Sequence, residues 1–262
     1  MVDDHLERVR KQFSRTAEVY ARLMLATHAK DLSGMVAISR ATPSDRALDV
    51  ACGPGFLSME FAKHCADVVG FDATDAFIEL ARAEAARRGL GNIRFEHGDA
   101  EHLPFREEMF EIVSCRAAFH HFSRPACVLA EMGRVMAPAG RIVIADLIGG
   151  EDPRQATLQD HIEQLCDPTH VRALPVSEFE RMFAAAGLRV VFQRHGTLDY
   201  DLEQWISHGA PEDHVRREIV SLMESCLEDD RAGLKVRRES GRLRFSHHGA
   251  AFVLERAVAC AT

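Results

Sequence analysis

Three aspartates stand at or just after the ends of short apolar runs, where carboxylates can bind the hydroxyl or amino groups of a ligand. Asp49 lies near the end of one run, Asp72 ends the next, and Asp99 follows a third. An ionised carboxylate that accepts hydrogen bonds from two hydroxyl groups makes charge-assisted contacts that hold a ligand in a fixed orientation. These three acids are therefore candidate binding residues.

A glycine turn follows the first acid directly. The segment Cys52-Gly53-Pro54-Gly55 separates the apolar run from positions spaced as in a helix, which predicts strand, tight turn and helix. Glycines at such a turn let backbone amides approach a ligand at the helix N-terminus. A dinucleotide fingerprint would have a third glycine where Ser58 stands, and it would not require Asp49. The acid, more than the glycines, is the informative residue.

Strands and helices alternate over the middle of the chain. Apolar runs predict strands over 46–51, 67–72, 92–97, 110–115 and 140–146, with helices between them. Such alternation indicates a parallel sheet with right-handed crossovers. Ligands bind outside the carboxyl ends of such strands, near the point where strand order reverses. Asp72 follows Asp49 by 23 residues, close to the spacing of about 20 at which these folds place an acid on ribose hydroxyls.

The two ends of the chain carry different patterns. Residues 6–40 have helical spacing and predict two or three helices, of which 12–20 either packs on the domain or forms a lid over a ligand. Two alternating runs, 242–247 and 250–256, predict a hairpin with its turn at His248-Gly249. The proline-interrupted helical region after strand five predicts a cap. The expected units are an N-terminal lid (1–41), a core (42–147 and 188–262) and a substrate cap (148–187).

Composition excludes some classes of function. The net charge of −8 argues against nucleic acid as a partner, because phosphate binding requires clustered cations. No stretch approaches eighteen apolar residues, so we expect no integral membrane segment and a cytoplasmic monomer or homodimer. The fourteen histidines show no His-x-x-x-His pair with a third ligand at recognisable spacing, and no metal is expected.

Four segments in order, 49–55, 70–72, 98–105 and 134–140, resemble the successive motifs of class I S-adenosylmethionine-dependent methyltransferases. The resemblance covers roughly residues 12–146 and is to the branch that contains ubiquinone and menaquinone C-methyltransferases. It implies S-adenosylmethionine as cofactor. Together with the alternating pattern it predicts an α/β fold: a Rossmann-like, doubly wound, mostly parallel seven-stranded sheet with a C-terminal antiparallel hairpin, an N-terminal helical lid and a helical cap after strand five.

The resemblance also implies a role for each acid. Asp49 would face the amino-acid end of the cofactor, directly or through water, Asp72 would bind both ribose hydroxyls, and Asp99 would accept from the adenine amino group. In the alternative readings, Asp72 caps the next helix, Asp99 only forms a turn, and Asp49 is a buried structural acid. The other implied cofactor-binding residues lie beside these acids, after strand four or on the lid: Ala51, Gly53, Gly55, Ala73, Thr74, Ala100, Arg116, Phe13 and Tyr20.

Methyl transfer from a sulfonium requires in-line proximity, exclusion of water and, for an oxygen or acidic carbon acceptor, a general base. Histidine is the first candidate because its ordinary pKa is near 6.5. His120 and His121 follow strand four, and His170 lies in the predicted cap. These three are the candidate catalytic residues, although each could be purely structural.

Three functions remain open from the sequence. The leading one is methyl transfer to a small-molecule acceptor, by C- or O-methylation, with an aromatic or quinone-like acceptor favoured by the sheltered cap. The second is a protein that binds S-adenosylmethionine or S-adenosylhomocysteine without transferring a methyl group. A nicotinamide dehydrogenase is third, disfavoured by Ser58.

Overall fold

A computed structural model describes residues 4–257, with only the backbone of residues 22–31. Residues 1–3 of the predicted lid and residues 258–262 of the predicted core lie outside that description. The side chains of residues 22–31, also in the predicted lid, lie outside it as well. The helices are α1 (Asp4–Ser39), α2 (Phe56–Phe61), α3 (Asp75–Arg87), α4 (Pro125–Val135), α5 (Pro153–Cys166), α6 (Val176–Ala185), α7 (Leu202–Gly209) and α8 (Asp213–Ser225). The strands are β1 (Arg46–Val50), β2 (Asp67–Asp72), β3 (Ile93–His97), β4 (Phe110–Arg116), β5 (Met136–Leu147), β6 (Leu188–Asp201), β7 (Arg237–Glu239) and β8 (Arg242–Arg256).

The strands form one mixed sheet in the order β3-β2-β1-β4-β5-β8-β6, with the short β7 paired to β8 outside this path. Strands β1 to β5 are parallel, and β8 runs antiparallel to both β5 and β6. This arrangement confirms the predicted α/β, Rossmann-like sheet. The chain leaves β1 toward β2 on one side and returns to β4 on the other, so the strand order reverses between β1 and β4. A ligand crevice is expected at the carboxyl ends of these two strands.

The C-terminal hairpin is confirmed, but its turn lies elsewhere. The hairpin joins β7 to β8 through Ser240 and Gly241, both at positive φ. The predicted turn at His248-Gly249 was wrong, because β8 continues through it. Gly249 pairs with Leu147 on one side and with Gly196 on the other, so backbone hydrogen bonding on both edges keeps the strand unbroken.

The N-terminal segment is one helix, not the predicted two or three. The helix continues through segment 12–20, where Thr16 Oγ1 donates to the carbonyl of Gln12 at 3.1 Å. Such a back-bond satisfies the hydroxyl without ending the helix. Gly34 is the first glycine in α1, and the helix contains no proline.

The helices after β5 divide between two cores. Helix α6 packs with α4 on the sheet, where Phe179 and Phe183 are buried beside Phe252. Helices α5, α7 and α8 share a separate cluster with the first part of β8, which includes Ile162 and Trp205. We call α5, α7 and α8 the helical layer. No helix among residues 4–257 combines the length and apolar character needed to span a bilayer.

Candidate active site

A cavity of about 140 Å³ lies at the carboxyl ends of β1 to β4, beneath α1; we call it the first cavity. Of the twelve sequence-predicted cofactor-binding residues, all except Gly55 line it. The structure thus brings together the following: Asp49, Ala51, Gly53, Asp72, Ala73, Thr74, Asp99, Ala100, Arg116, Phe13 and Tyr20.

Asp49 is held by two serine hydroxyl groups. Ser58 Oγ donates to Asp49 Oδ2 at 2.6 Å, and Ser114 Oγ donates to Oδ1 at 2.8 Å. Burial raises the pKa of Asp49 to about 6, even though both hydroxyl groups oppose that shift. Ser58 therefore has a specific contact where a dinucleotide fingerprint would have glycine. Ser114 was not predicted, although it is the residue of β4 that pairs in register with Asp49.

Asp72 organises the turns on either side of it. Its Oδ2 accepts from the Gly53 amide and its Oδ1 from the Thr74 amide, both at 2.8 Å. Burial raises the pKa of Asp72, and these amides oppose the rise. The alternative reading, in which this acid supports the start of the next helix, is therefore partly realised. Each carboxylate oxygen has a second lone pair, so these contacts leave acceptor capacity for ligand hydroxyls.

The two glycines of the turn differ in what surrounds them. Gly53 has φ +54°, and a Cβ added there would meet no atom within 4 Å, so its backbone faces open space. Gly55 has φ +76°, and a Cβ there would come within 2.5 Å of the Phe95 ring. Gly53 therefore permits a ligand to approach, whereas Gly55 permits the turn to pack against α3 and β3.

Asp99 forms a turn in which its Oδ1 accepts from the Glu101 amide at 2.9 Å. That contact is the turn-forming alternative considered from sequence, and it coexists with a position on the cavity wall. Ala100 lies beside it on the same wall. The geometry gives this segment a defined backbone from which a ligand could be contacted.

Helix α1 covers the first cavity with the rings of Phe13 and Tyr20, which pack against Phe77 of α3. The ring centroids of Phe13, Tyr20 and Phe77 lie 5.5 to 5.6 Å from one another, and Phe13 contacts His121 edge-on at 5.3 Å. Burial raises the pKa of Tyr20 to about 12, so this phenol stays protonated. Arg10 further ties the helix down by donating from Nε to the Ala73 carbonyl at 3.1 Å.

A second cavity, of about 260 Å³, adjoins the first. It lies between the ends of β4 and β5, the middle of β6 and β8, and the helical layer. Within the part of the chain that the structure describes, four residues line both cavities and mark the junction between them: Tyr20, Arg116, Ala117 and His121. Among the described residues that line the second cavity, seven are histidines: His120, His121, His170, His195, His208, His247 and His248.

His120 is paired with Asp146 in the second cavity. Its Nδ1 lies 2.5 Å from Asp146 Oδ1, while Asp146 Oδ2 accepts from the Ala118 and Phe119 amides at 2.8 Å. Burial lowers the pKa of His120, but the Asp146 carboxylate together with Glu163 and Asp167 outweighs burial, and the net pKa is raised. Asp146 was not predicted as a site residue, although its place at the end of a predicted strand was a usable signal.

The other two candidate histidines are held differently. His121 Nδ1 lies 3.1 Å from the Thr169 carbonyl, and burial together with the neighbouring His120 lowers the pKa of His121 to about 3. His170 Nε2 lies 2.8 Å from Asp160 Oδ1, with the ring almost fully buried. Within the described part of the chain, no three histidine, cysteine or acidic side chains converge as a metal site.

Comparison with known proteins shows the family to which this chain belongs. A family model described as a methyltransferase domain matches residues 41–187, more than half of the chain. The chain belongs to this family. The uncharacterised methyltransferase YcgJ of Bacillus subtilis is 31% identical over 219 residues, which cover 84% of this chain and 87% of that protein. The crystal structure of YcgJ has a TM-score of 0.83 at 27% identity and covers 88% of this chain and 100% of its own.

Two further relatives are similar over less of the chain or in fold alone. The demethylmenaquinone methyltransferase of Deinococcus radiodurans is 39% identical over 103 residues, which is 38% of this chain and 42% of that protein. A methyltransferase from Thiobacillus denitrificans, solved with S-adenosyl-L-homocysteine, shares the fold with a TM-score of 0.54 at 20% identity, covering 88% of this chain and 92% of its own. The recognition of an S-adenosylmethionine-dependent methyltransferase from sequence is confirmed, and the dehydrogenase reading was wrong.

Proposed function

We propose that this methyltransferase binds S-adenosylmethionine in the first cavity and transfers its methyl group to a small molecule held in the second. The observation that supports this division most strongly is the junction. The two cavities meet at Tyr20, Arg116, Ala117 and His121, so groups bound on either side would be brought within reach of each other.

The residues of the first cavity fit a nucleoside joined to a cationic amino-acid group. Gly53 presents its backbone to open space, and the buried Asp72 beside it retains acceptor capacity for ribose hydroxyls. Asp49 supplies a carboxylate near the end of β1, where a positive charge on the ligand would favour its ionised form. Phe13 and Tyr20 cover the cavity and limit access of water.

The bound sulfonium supplies an activated methyl group. What the chain must add is a path for the proton that the acceptor loses when its oxygen or carbon forms the new bond to methyl. His120 suits this role, because the hydrogen bond from Nδ1 to Asp146 leaves the lone pair on Nε2. Its raised pKa makes it a stronger base than His121, whose pKa is lowered to about 3.

The second cavity supports an uncharged, aromatic acceptor. The rings of Tyr200 and Trp205 line it, and so does the His120–Asp146 pair. A quinone-like acceptor is consistent with the named activity of the Deinococcus relative. That likeness covers only 38% of this chain, so the acceptor-binding region of the relative supplies no further argument.

The test is calorimetric binding followed by product detection. We expect the parent protein to bind S-adenosylmethionine, and Asp72→Ala to weaken binding about tenfold or more. Release of S-adenosylhomocysteine, measured by mass spectrometry with a panel of phenols and quinols, should then identify the acceptor class. Absence of S-adenosylmethionine binding would contradict the proposal. Binding without turnover of any phenol or quinol in a broad panel would favour a protein that binds the cofactor without transferring its methyl group.

A further inference from the structure

A carboxylate and an imidazole that the proposed reaction does not use line the second cavity. Glu163 lies on α5 and His247 on β8, and neither lines the first cavity. Their side chains are only 9% and 10% exposed. Glu163 Oε1 and His247 Nε2 lie 2.6 Å apart without the alignment of a hydrogen bond, and within residues 4–257 no other group bonds to either atom.

Comparison with the other acids of the same region shows why Glu163 stands out. Asp146 accepts from His120 and from two backbone amides, and Asp160 accepts from His170 and from the Ala173 amide. Each of those carboxylates is satisfied by the protein. Glu163 Oε1 lies against the imidazole and is itself closed off from the cavity, so the other oxygen, Oε2, is the acceptor that a ligand donor would contact.

The chemistry of that ligand group follows from the state of the carboxyl. Burial by itself raises the pKa of Glu163, but the adjoining His247 reverses the shift and holds the pKa at about 2. The group is therefore ionised at neutral pH and can only accept hydrogen bonds. Its partner on a ligand must be a hydrogen-bond donor. Because His247 already lies against the carboxylate, a neutral donor fits, whereas a full cation would meet the imidazole as well.

The surrounding side chains indicate what carries the donor. The His247 ring lies 5.1 Å from that of Tyr200 and 5.9 Å from that of Trp205, centroid to centroid. Both of these aromatic residues line the cavity. A flat aromatic body can pack there with a polar group directed at the carboxylate.

We propose that Glu163 is the anchor for a second polar group of the acceptor: an aromatic hydroxyl group remote from the atom that is methylated. This inference rests on the proposed function, since it assumes that the second cavity holds the acceptor. It adds a specificity-determining residue on the helical layer. An acceptor with two hydroxyl groups would be bound at both ends, with one near His120 and the other at Glu163.

The test compares matched probes that differ by one hydroxyl group. Calorimetry on protein saturated with S-adenosylhomocysteine would compare phenol with 1,4-dihydroxybenzene, 2-naphthol with 2,6-dihydroxynaphthalene, and 4-hydroxybiphenyl with 4,4′-dihydroxybiphenyl. We expect the second hydroxyl group to tighten binding about tenfold at one spacing or more. In Glu163→Gln this gain should fall below about threefold, while the single-hydroxyl probes change less than about twofold.

Two further variants complete the test. Glu163→Asp shortens the carboxylate and should retain part of the gain, which keeps the test available if the glutamine variant is unstable. Glu218→Gln removes an acidic side chain from α8, half exposed and outside the cavity lining, and should leave the gain unchanged. The unfolding temperature and S-adenosylhomocysteine affinity of each variant report on folding.

Each remaining outcome has a definite meaning. No gain in the parent protein, or a gain that survives in Glu163→Gln, would overturn the anchor and leave the proposed methyl transfer standing. Tighter binding of the cationic probe 4-hydroxybenzylamine than of any dihydroxy probe would overturn the hydroxyl class. If S-adenosylhomocysteine binds and no aromatic probe does, both the aromatic acceptor and the anchor are wrong. If S-adenosylhomocysteine itself does not bind, the proposed function fails first.

Discussion

Asp146 Oδ1 lies 2.5 Å from His120 Nδ1, and this contact sets which nitrogen of the imidazole carries the lone pair. The same carboxylate fixes the loop after β4 through two backbone amides. One acid at the end of β5 therefore both orients a candidate base and holds the segment that carries it.

The first prediction concerns that base. His120 acts in its neutral form, and its pKa is raised, so kcat/KM should rise with pH through an apparent pKa above 6.5. His120→Asn should lower kcat about 100-fold, within the range typical of a general base, while the affinity for S-adenosylhomocysteine stays within about twofold. Equal loss of binding and turnover would contradict this role.

Asp146→Asn gives a separate prediction. The asparagine amide would donate to Nδ1 and move the imidazole proton to Nε2, so the cavity side would lose its lone pair. We expect kcat to fall at least tenfold and the rise with pH to disappear. Nitrogen NMR of the histidine ring would report the tautomer directly, and an unchanged tautomer with reduced kcat would point to a structural role alone.

The third prediction uses the two glycines of the turn as a matched pair. Both have positive φ, so alanine at either position carries a strain of about 1–2 kcal/mol. Only Gly55→Ala also drives a Cβ into Phe95. Gly55→Ala should therefore lower the unfolding temperature more than Gly53→Ala does. When the loss of cofactor affinity is compared with the loss of stability, Gly53→Ala should show the larger ratio.

Asp49 leads to a prediction about stability and pH. Its pKa is about 6 in the folded protein and near 3.8 when unfolded, so folding favours its protonated form. The associated stability is present below pH 3.8 and is lost as pH rises through 6. This difference in the pKa of Asp49 corresponds to roughly 3 kcal/mol of folding free energy at most. The stability of Asp49→Asn relative to the parent should increase by about 2–3 kcal/mol between pH 4 and pH 7.5 in urea titrations.

A control separates this effect from general charge removal. Asp75 lies at the start of α3, with its side chain 79% exposed. Asp75→Asn should not reproduce the pH-dependent difference. If both variants behave alike, the shift does not come from burial of Asp49.

The fifth prediction concerns the helix over the first cavity. Phe13→Ala removes the ring that contacts Tyr20, Phe77 and His121. We expect faster amide hydrogen exchange over residues 5–20 and about tenfold weaker binding of S-adenosylhomocysteine. Val19→Ala on the same helix, 47% exposed, is the matched control and should change neither measurement. A Phe13→Ala protein with unchanged exchange would exclude a covering role for this ring.

Much of the fold followed from local patterns in the sequence. Buried strands such as β1 and β2 are short apolar runs bounded by turn residues, and their alternation with helices fixes a parallel sheet. The predicted turn at His248-Gly249 was wrong because β5 and β6 pair with both edges of β8 there, and such long-range pairing is not evident from the local sequence. Helices α5 and α6 pack in two different cores, and helical periodicity does not predict which core a helix joins.

The site residues also include some that local sequence patterns predict and some that they do not. Asp49, Asp72 and Asp99 could be found because each lies near the end of a strand or just after it, at the edge of the sheet that faces the crevice. Ser114 and Glu163 could not, since their importance depends on residues 65 and 84 positions away in sequence, at Asp49 and His247. Contacts across the sheet and between the helical layer and β8 are set by tertiary packing.

The most direct test of the account is the position of the sulfur atom in a crystal structure with S-adenosylhomocysteine. We expect the adenosine beside Asp72 and Asp99, with the sulfur at the junction next to Tyr20 and His121, facing the cavity that contains His120. A sulfur atom that faces away from the second cavity, or a cofactor bound elsewhere, would contradict methyl transfer across this junction.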